Sequence, residues 1–289
     1  MTVAVCTPDE MVVCSRVRWL ADDMAAGAAG RWPVRHDYGF GLPSLESGLT
    51  RAWWSPAGHA ARLLAGGMEM HLCAPGPTWL ADIPEVLTGR PVWAGTLDEL
   101  SRGRGPRFGF AKPAEAKIDA LAAAWYDNIG DFAAAANSAR LPGGSWVQVS
   151  PVRLDLVEEH RCFVHAGEVV AASPYLLADG TTWEPGMETW ERLHHDGARR
   201  FAADAVAELT GRQPAAYALD VGLLASGRWV VVEANPAWCA GTYGAELTAV
   251  VDVVVASSLT VPGETDSHGA WAWRPDPALV ADAERAPLR

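Results

Sequence analysis

The residues with the clearest chemical potential cluster around position 220. Tyr217 to Leu224 and Trp229 to Pro236 read as two strands of a hairpin joined by Ala225-Ser-Gly-Arg228. If that hairpin is centred between Ser226 and Gly227, Asp220 falls directly opposite Glu233, whether its loop has two residues or four. Asn235, two residues beyond Glu233, shares its face under the period-two rule of strands, so three oxygen donors converge. Two carboxylates opposed across a ladder of Leu, Val and Trp repel one another and are costly to bury. Either they face solvent, or one pairs with a lysine or arginine, or a bound cation compensates them. Magnesium suits the third case, being a hard ion that takes oxygen ligands, keeps some waters and is completed by substrate phosphates.

Lys112 ends a short apolar strand just before Pro113. There it is either a solvated strand end or an ammonium placed against a nucleotide phosphate. Glu159 and Arg161, flanking His160, fall on one face of the strand that continues through Cys162-Phe163-Val164. They form either a cross-strand ion pair of little energetic weight or the site of an arginine that clamps a transferring phosphoryl group. His194-His195 read as a polar helix entry, and Cys239 as packing, since no histidine is placed by sequence to activate it. Neither G-x-x-x-x-G-K-[ST] nor G-x-G-x-x-G occurs, so P-loop and Rossmann phosphate sites lack support.

Lys112-Pro113, the strand and hinge from Gln148 to Val152, Glu159 to Val164 (EHRCFV), and LDVGLL followed by WVVVEANPAW stand in an order and spacing that resemble the ATP-grasp superfamily. The resemblance spans about residues 106–250 and is similar especially to the compact members. It implies an α/β (α+β) fold in which two lobes with antiparallel sheets sandwich a nucleotide, preceded by a small α/β N-terminal lobe. ATP and Mg2+, or Mn2+ in its place, are the implied cofactors. Lys112 would approach the phosphates, and Lys117 would be either a second phosphate contact or a surface helix lysine. Backbone groups of Val149, Ser150 and Val152 would bind the adenine edge, with Glu159 also in the ATP-binding set. Asp220, Glu233 and Asn235 would hold the metal, and Arg161 would be the catalytic residue, stabilising the γ-phosphate or an acyl phosphate. The chain departs from the superfamily pattern in having no glycine-rich lid beyond Leu141-Pro-Gly-Gly144, and in Pro151 at a hinge position often acidic, which leaves the ribose to Asp155 or Glu158.

The activity this implies is an ATP- and Mg-dependent ligase that joins a carboxylate to an amine or similar nucleophile through an acyl phosphate, releasing ADP and phosphate. Its partners would be small-molecule or peptide carboxylates and amines. Two other readings share the residues: a phosphotransferase on the same fold, and a non-catalytic tryptophan-rich module that binds a peptide or glycan.

Helical and strand periodicities place these groups. A helix over Pro56 to Ala65 has Ser55 as cap and Gly66-Gly67 as stop. The alanine-rich run after Pro113 reads as a helix, as do Asp131–Arg140, Ala198–Leu209 and Ala245–Ser258. Strands are expected at Val3–Val5, Met11–Val13, Met68–Cys73, Trp146–Val149, Val152–Val157, Arg161–Val164 and Val169–Ser173. The implied division is an N-terminal lobe over 1–105 with a possible acceptor site, a small lobe over 106–149, a large lobe over 150–260, and a loosely attached extension over 261–289.

The 289 residues carry 35 Asp and Glu against 23 Lys and Arg, a net charge of −12 that argues against nucleic acid as a partner. No apolar run is long enough to span a bilayer, and the start MTVAVCTPDE lacks the pattern of a secretory signal, so a cytoplasmic, non-membrane protein is expected. Cys6, Cys14, Cys73, Cys162 and Cys239 form no C-x-x-C pair and read as buried thiols. Of the 14 tryptophans, Trp53, Trp54, Trp79 and Trp93 are candidates for an apolar acceptor pocket.

Overall fold

Short β-branched runs alternating with amphipathic helices dictate the beginning of the chain. The computed structural model describes residues 7–39, 41–115, 121–177, 194–264 and 268–285. β1 (Glu10–Cys14), α1 (Arg18–Ala28), β2 (Val34–Asp37), β3 (Arg51–Trp54) and α2 (Ala57–Ala65) come first, and the strands form a parallel sheet in the order β2-β1-β3. A parallel sheet is covered on both faces, so its strands are apolar on both. Met11 and Val13 pack with Leu20 and Met24 of α1, whereas Val12 and Cys14 pack with Ala60, Ala61 and Leu63 of α2. Pro56, which has no amide to satisfy, precedes α2, and Gly66 caps its end. Ser55 does not cap the helix; its hydroxyl donates to the Pro56 carbonyl at 3.2 Å. The segment Met68–Cys73 is no sheet strand but is held by a single bridge, Cys73 to Ala272. The strand expected at Val3–Val5 lies outside the described residues.

α3 (Trp79–Asp82) and α4 (Glu85–Thr88) lead into β4 (Trp93–Thr96), α5 (Leu97–Ser101), β5 (Phe110–Pro113), β6 (Ala124–Trp125), α6 (Ile129–Ser138) and β7 (Trp146–Ser150). These strands make an antiparallel sheet ordered β4-β7-β5-β6, which therefore draws on residues N-terminal to the expected division at 105/106. The alanine-rich helix expected after Pro113 is corrected in its described part. Leu121–Ala123 are irregular, and Ala124 and Trp125 pair with Ala111 and Phe110. Alanine's helix preference, under about 1 kcal/mol per residue, yields there to sheet pairing. Gly109 sits where the chain passes the hinge so closely that an added Cβ would lie 2.1 Å from the Ser150 carbonyl oxygen.

β8 (Leu156–His165), β9 (Glu168–Leu177), α7 (His195–Glu208), β10 (Ala216–Leu224) and β11 (Trp229–Asn235) build the larger antiparallel sheet, ordered β11-β10-β8-β9. The β8–β9 turn places Ala166 and Gly167 at φ 51° and 84°, as a tight two-residue hairpin of the primed type requires. The strand expected from Val152 begins only at Leu156, after the bend that starts at Pro151. One face of this sheet packs Tyr217, Leu219 and Val231 against Ala198, Ala202 and Ala205 of α7. The other packs Phe163, Ala216 and Ala218 against the valines of α8 (Leu247–Ser258).

The expectation of a loosely attached C-terminal extension is overturned. The Trp273 amide donates to the Leu72 carbonyl, its ring packs against Trp238 at 4.8 Å, and buried Asp276 accepts from the Trp146 amide at 2.8 Å. α9 (Pro277–Arg285) then places Ala278 and Leu279 in the core shared by α2 and the small sheet. The proline and charge content that suggested a solvated tail serves turns around two buried anchors. No described helix is long and apolar enough to cross a membrane.

Candidate functional site

The acidic face of the large sheet depends on one irregularity. Near the turn, β10 and β11 pair one residue away from the expected register, with Leu223 opposite Trp229. A bulge at Val232, between the Asp220–Glu233 and Val221–Val231 pairs, restores the expected opposition of Asp220 and Glu233. It also reverses the alternation: Val231 packs toward α7, while Glu233, two residues later, lines a cavity on the opposite face. Without the extra residue, strand periodicity would turn Glu233 into the α7 core. Arg90, 8% exposed, braces the bulge by donating to the Val231 and Val232 carbonyls at 3.5 and 2.9 Å. Burial lowers its pKa to about 10, still well above neutrality, and Glu233 and Glu159 oppose that shift. No sequence pattern marked Arg90, because it lies on the short connection between α4 and β4 and acts on a strand more than a hundred residues away.

The structure brings Glu159, Arg161, Asp220, Glu233 and Asn235 together and answers the charge problem with side chains. Arg161, directly opposite Asp220 on the neighbouring strand, grips both carboxylate oxygens through Nε and Nη2 at 2.8 and 2.7 Å. Tyr175 and Tyr243 flank its guanidinium, with ring centroids 4.9 and 5.2 Å from Cζ. Burial pushes the Asp220 carboxyl up, and the bidentate arginine works against that push. Lys112 reaches from the small sheet to pair with Glu233. The Asn235 amide, in its assigned orientation, donates to Asp220 at 3.0 Å and Glu233 at 2.9 Å. Glu159, near Asp220 and Glu233, is left without a cation in direct contact among the described residues. Burial first, then those two carboxylates, raise its pKa to about 7. Three acids against two contacting cations are one positive charge short, and their oxygen donors are the kind a hard divalent ion accepts.

Between the two antiparallel sheets and the N-terminal lobe lies a cavity of about 590 Å3. Lys112, Arg161, Glu233 and Asn235 line it, with Gln148 on the adjacent strand of the small sheet. Gln148 stands directly opposite Lys112 and donates to the Pro77 carbonyl at 3.0 Å. Of the four tryptophans singled out, Trp54 and Trp79 line the cavity, while Trp53 is a core residue and Trp93 packs against the core of the small lobe. Pro56, Ala57 and Gly58, at the start of α2, form part of the wall nearest the parallel sheet. Val149, Ser150 and Val152 are not among the lining residues: Val149 sits in the middle strand of the small sheet, and the Ser150 hydroxyl accepts from the Val152 amide and donates to its carbonyl. Lys117 lies outside the described residues. On the opposite side of the large sheet, buried Glu158 accepts from the His194 amide at 3.0 Å and contacts the rings of His160 and His194, so that pair of helix-entry histidines serves the sheet's back. Cys14, Cys73 and Cys162 are buried and Cys239 is partly so.

A crystal structure of D-cycloserine synthetase is similar at 16% identity, over 85% of this chain and 98% of that one, with a TM-score of 0.48. N5-carboxyaminoimidazole synthetase from Staphylococcus aureus is similar at 10% identity over 87% and 78%, TM-score 0.47. A RimK domain ATP-grasp protein from Sphaerobacter thermophilus is similar at 17% over 85% and 99%, TM-score 0.46. No curated protein matches the chain in sequence. A family model for the ATP-grasp domain, family 2 of its clade, matches residues 87–253, a span that starts just before β4 and ends within α8 and so takes in both antiparallel sheets. With more than half of its length inside that match, the chain belongs to this ATP-grasp domain family.

Proposed function

We propose that the protein is an ATP-dependent ligase that joins a carboxylate to an amine or similar nucleophile, releasing ADP and phosphate. The observation that carries this reading is the meeting of Lys112, from one antiparallel sheet, with Glu233, from the other, on the wall of one cavity. Membership of the ATP-grasp family supports a nucleotide between those sheets. The polyphosphate would offer Lys112 a stronger partner than Glu233 and so release that carboxylate. Glu233 and Asn235, with Asp220 behind them, are the proposed magnesium ligands, and Glu159 stands beside them. Magnesium, when bound, supplies charge neutralisation and Lewis-acid polarisation of the phosphates.

The substrate carboxylate would attack the γ-phosphorus, breaking its bond to the bridging oxygen and releasing ADP. The amine would then attack the acyl carbon, expelling phosphate and losing a proton. Arg161 contributes a fixed positive charge: Asp220 and two tyrosine rings hold it, so little reorganisation is needed as charge develops. Lys112 neutralises phosphate charge, Val149, Ser150 and Val152 are the proposed adenine edge, and Trp54 with the start of α2 forms an apolar acceptor wall.

Thermal unfolding with ATP and magnesium, against ATP and a chelator, tests the site. At ligand about a hundredfold above Kd, binding stabilises by about 2.7 kcal/mol, a shift of several degrees. Glu233→Gln is expected to abolish both the magnesium-dependent shift and turnover while retaining the fold. An unchanged shift removes Glu233 from the metal set, and no shift with wild type at millimolar ATP overturns the nucleotide site. Product analysis separates the chemistries: ADP with an amide marks the ligase, and ADP with a phosphorylated acceptor the phosphotransferase.

A further inference from the structure

The parallel sheet of the N-terminal lobe ends in a group of side chains that the proposed ligase chemistry does not use. Cys14 is the last residue of β1 and Asp37 the last of β2, and the two are direct partners in the parallel ladder. His59 lies in the first turn of α2, the helix that covers this face of the sheet. One ligand atom from each of the three falls within 4.8 Å of the others. Cys14 is 0% exposed and His59 5% exposed. Asp37 Oδ1 accepts from the Gly39 amide at 3.1 Å, but Oδ2 is buried and accepts no hydrogen bond from the described residues. An unsatisfied buried carboxylate oxygen is costly.

We infer that Cys14, Asp37 and His59 form a binding site for a zinc(II)-type ion, separate from the cavity between the antiparallel sheets. A thiolate, an imidazole and a carboxylate are the mixed S, N and O donor set of a borderline ion, in contrast to the all-oxygen set of Glu159, Asp220, Glu233 and Asn235. Metal–ligand bonds of about 2.0–2.3 Å put tetrahedral donors roughly 3.5 Å apart, so small side-chain rotations close the observed spacing. The charges also close: a divalent ion with one thiolate, one carboxylate and one neutral imidazole makes a neutral complex, which suits a buried position. Binding replaces the Cys14 S–H bond by S–metal, and the proton leaves to solvent.

The site ties the ends of two strands to the first turn of α2. Pro56, Ala57 and Gly58, the residues just before His59, line the main cavity, so the ion would fix that wall from behind. Sequence spacing conceals the group, because positions 14, 37 and 59 come from three elements of a parallel fold and match no short ligand motif.

The test uses the full chain stripped with a chelator and titrated with cobalt(II) in the absence of magnesium and nucleotide. A thiolate-to-cobalt charge-transfer band, with intense visible bands of a tetrahedral ion, is expected to saturate at one equivalent and to vanish when zinc is added. Cobalt bound to the carboxylates of the main cavity gives no thiolate band, so the two sites are read separately, and failure of the ligase reading leaves this readout untouched. Asp37→Asn and His59→Gln are expected to weaken cobalt binding tenfold or more, and Cys14→Ser to remove the charge-transfer band. Absence of the band in wild type, or its persistence in a folded Cys14→Ser protein, overturns the proposal. Rapid alkylation of Cys14 in the native apo protein without a cobalt band would also overturn it, marking the trio as a nucleophile with its base.

Discussion

The acidic face of the large sheet and the end of the parallel sheet both gather ionisable groups, by opposite means. On the large sheet, neighbours across an antiparallel ladder supply both the charges and their partners: Arg161 opposes Asp220, which opposes Glu233. In the N-terminal lobe, Cys14, Asp37 and His59 arrive from separate elements, and the whole lobe is clasped by α9 from the far end of the chain. The first arrangement is self-contained and stiff; the second depends on distant segments arriving together. The contrast shows that register alone can organise a charged site, whereas crossover connections need packing to do the same.

The contrast is broken most sharply at the buried ion pair. Arg161→Ala leaves Asp220 charged and 0% exposed, and is expected to cost about 3–5 kcal/mol in urea denaturation. The double change Arg161→Met with Asp220→Leu is expected to recover most of that loss while remaining inactive, which shows that the pair is kept for its charge rather than for stability. A double variant as unstable as the single one would contradict this view. Trp273→Ala probes the clasp: its ring is 8% exposed against Trp238, so a loss of roughly 3–4 kcal/mol is expected, with unfolding beginning in the N-terminal lobe by hydrogen exchange. Uniform loss of protection across both antiparallel sheets would show instead that the lobes do not differ.

A smaller effect lies at Glu115, on the cavity wall. Burial, reinforced by Asp276, raises its pKa from 4.5 to about 7. The folded state therefore prefers the protonated acid, so this group's contribution is most favourable below pH 4.5 and is lost as pH climbs toward 7. Glu115→Gln is expected to flatten that slope and to stabilise the protein at pH 8 on the order of 1–2 kcal/mol, with little difference at about pH 4.5. Equal effects at both pH values would assign the change to packing.

The large sheet was the more legible of the two regions. Its hairpin announces itself through alternation, and the Asp220–Glu233 opposition follows from the turn position, though the route to it differs: the turn pairs lie one residue off and the Val232 bulge corrects them. A bulge leaves no mark in a run of three valines, and neither does the buried arginine that braces it. The alternative that Asp220 or Glu233 pairs with a cationic side chain holds for both, because strand neighbours and the facing sheet, rather than local sequence, supply Arg161 and Lys112. In the N-terminal lobe, β2 and β3 are short and partly polar or aromatic, so periodicity over four residues carried too little signal. The alanine-rich run after Pro113 misled because propensity is weak against an available sheet edge.

The anchoring of Trp273 and Asp276 has a consequence for the order in which the molecule is made. A ribosome emits the N-terminal lobe first, but Leu72, Trp146 and α2 receive their last partners only from the final stretch of the message. The large sheet is complete once β11 has emerged and can fold during synthesis, while the N-terminal lobe must wait for termination. The first part translated is thus the last to be finished, and a premature stop after α8 would release a chain whose large sheet is formed but whose cavity has lost a wall.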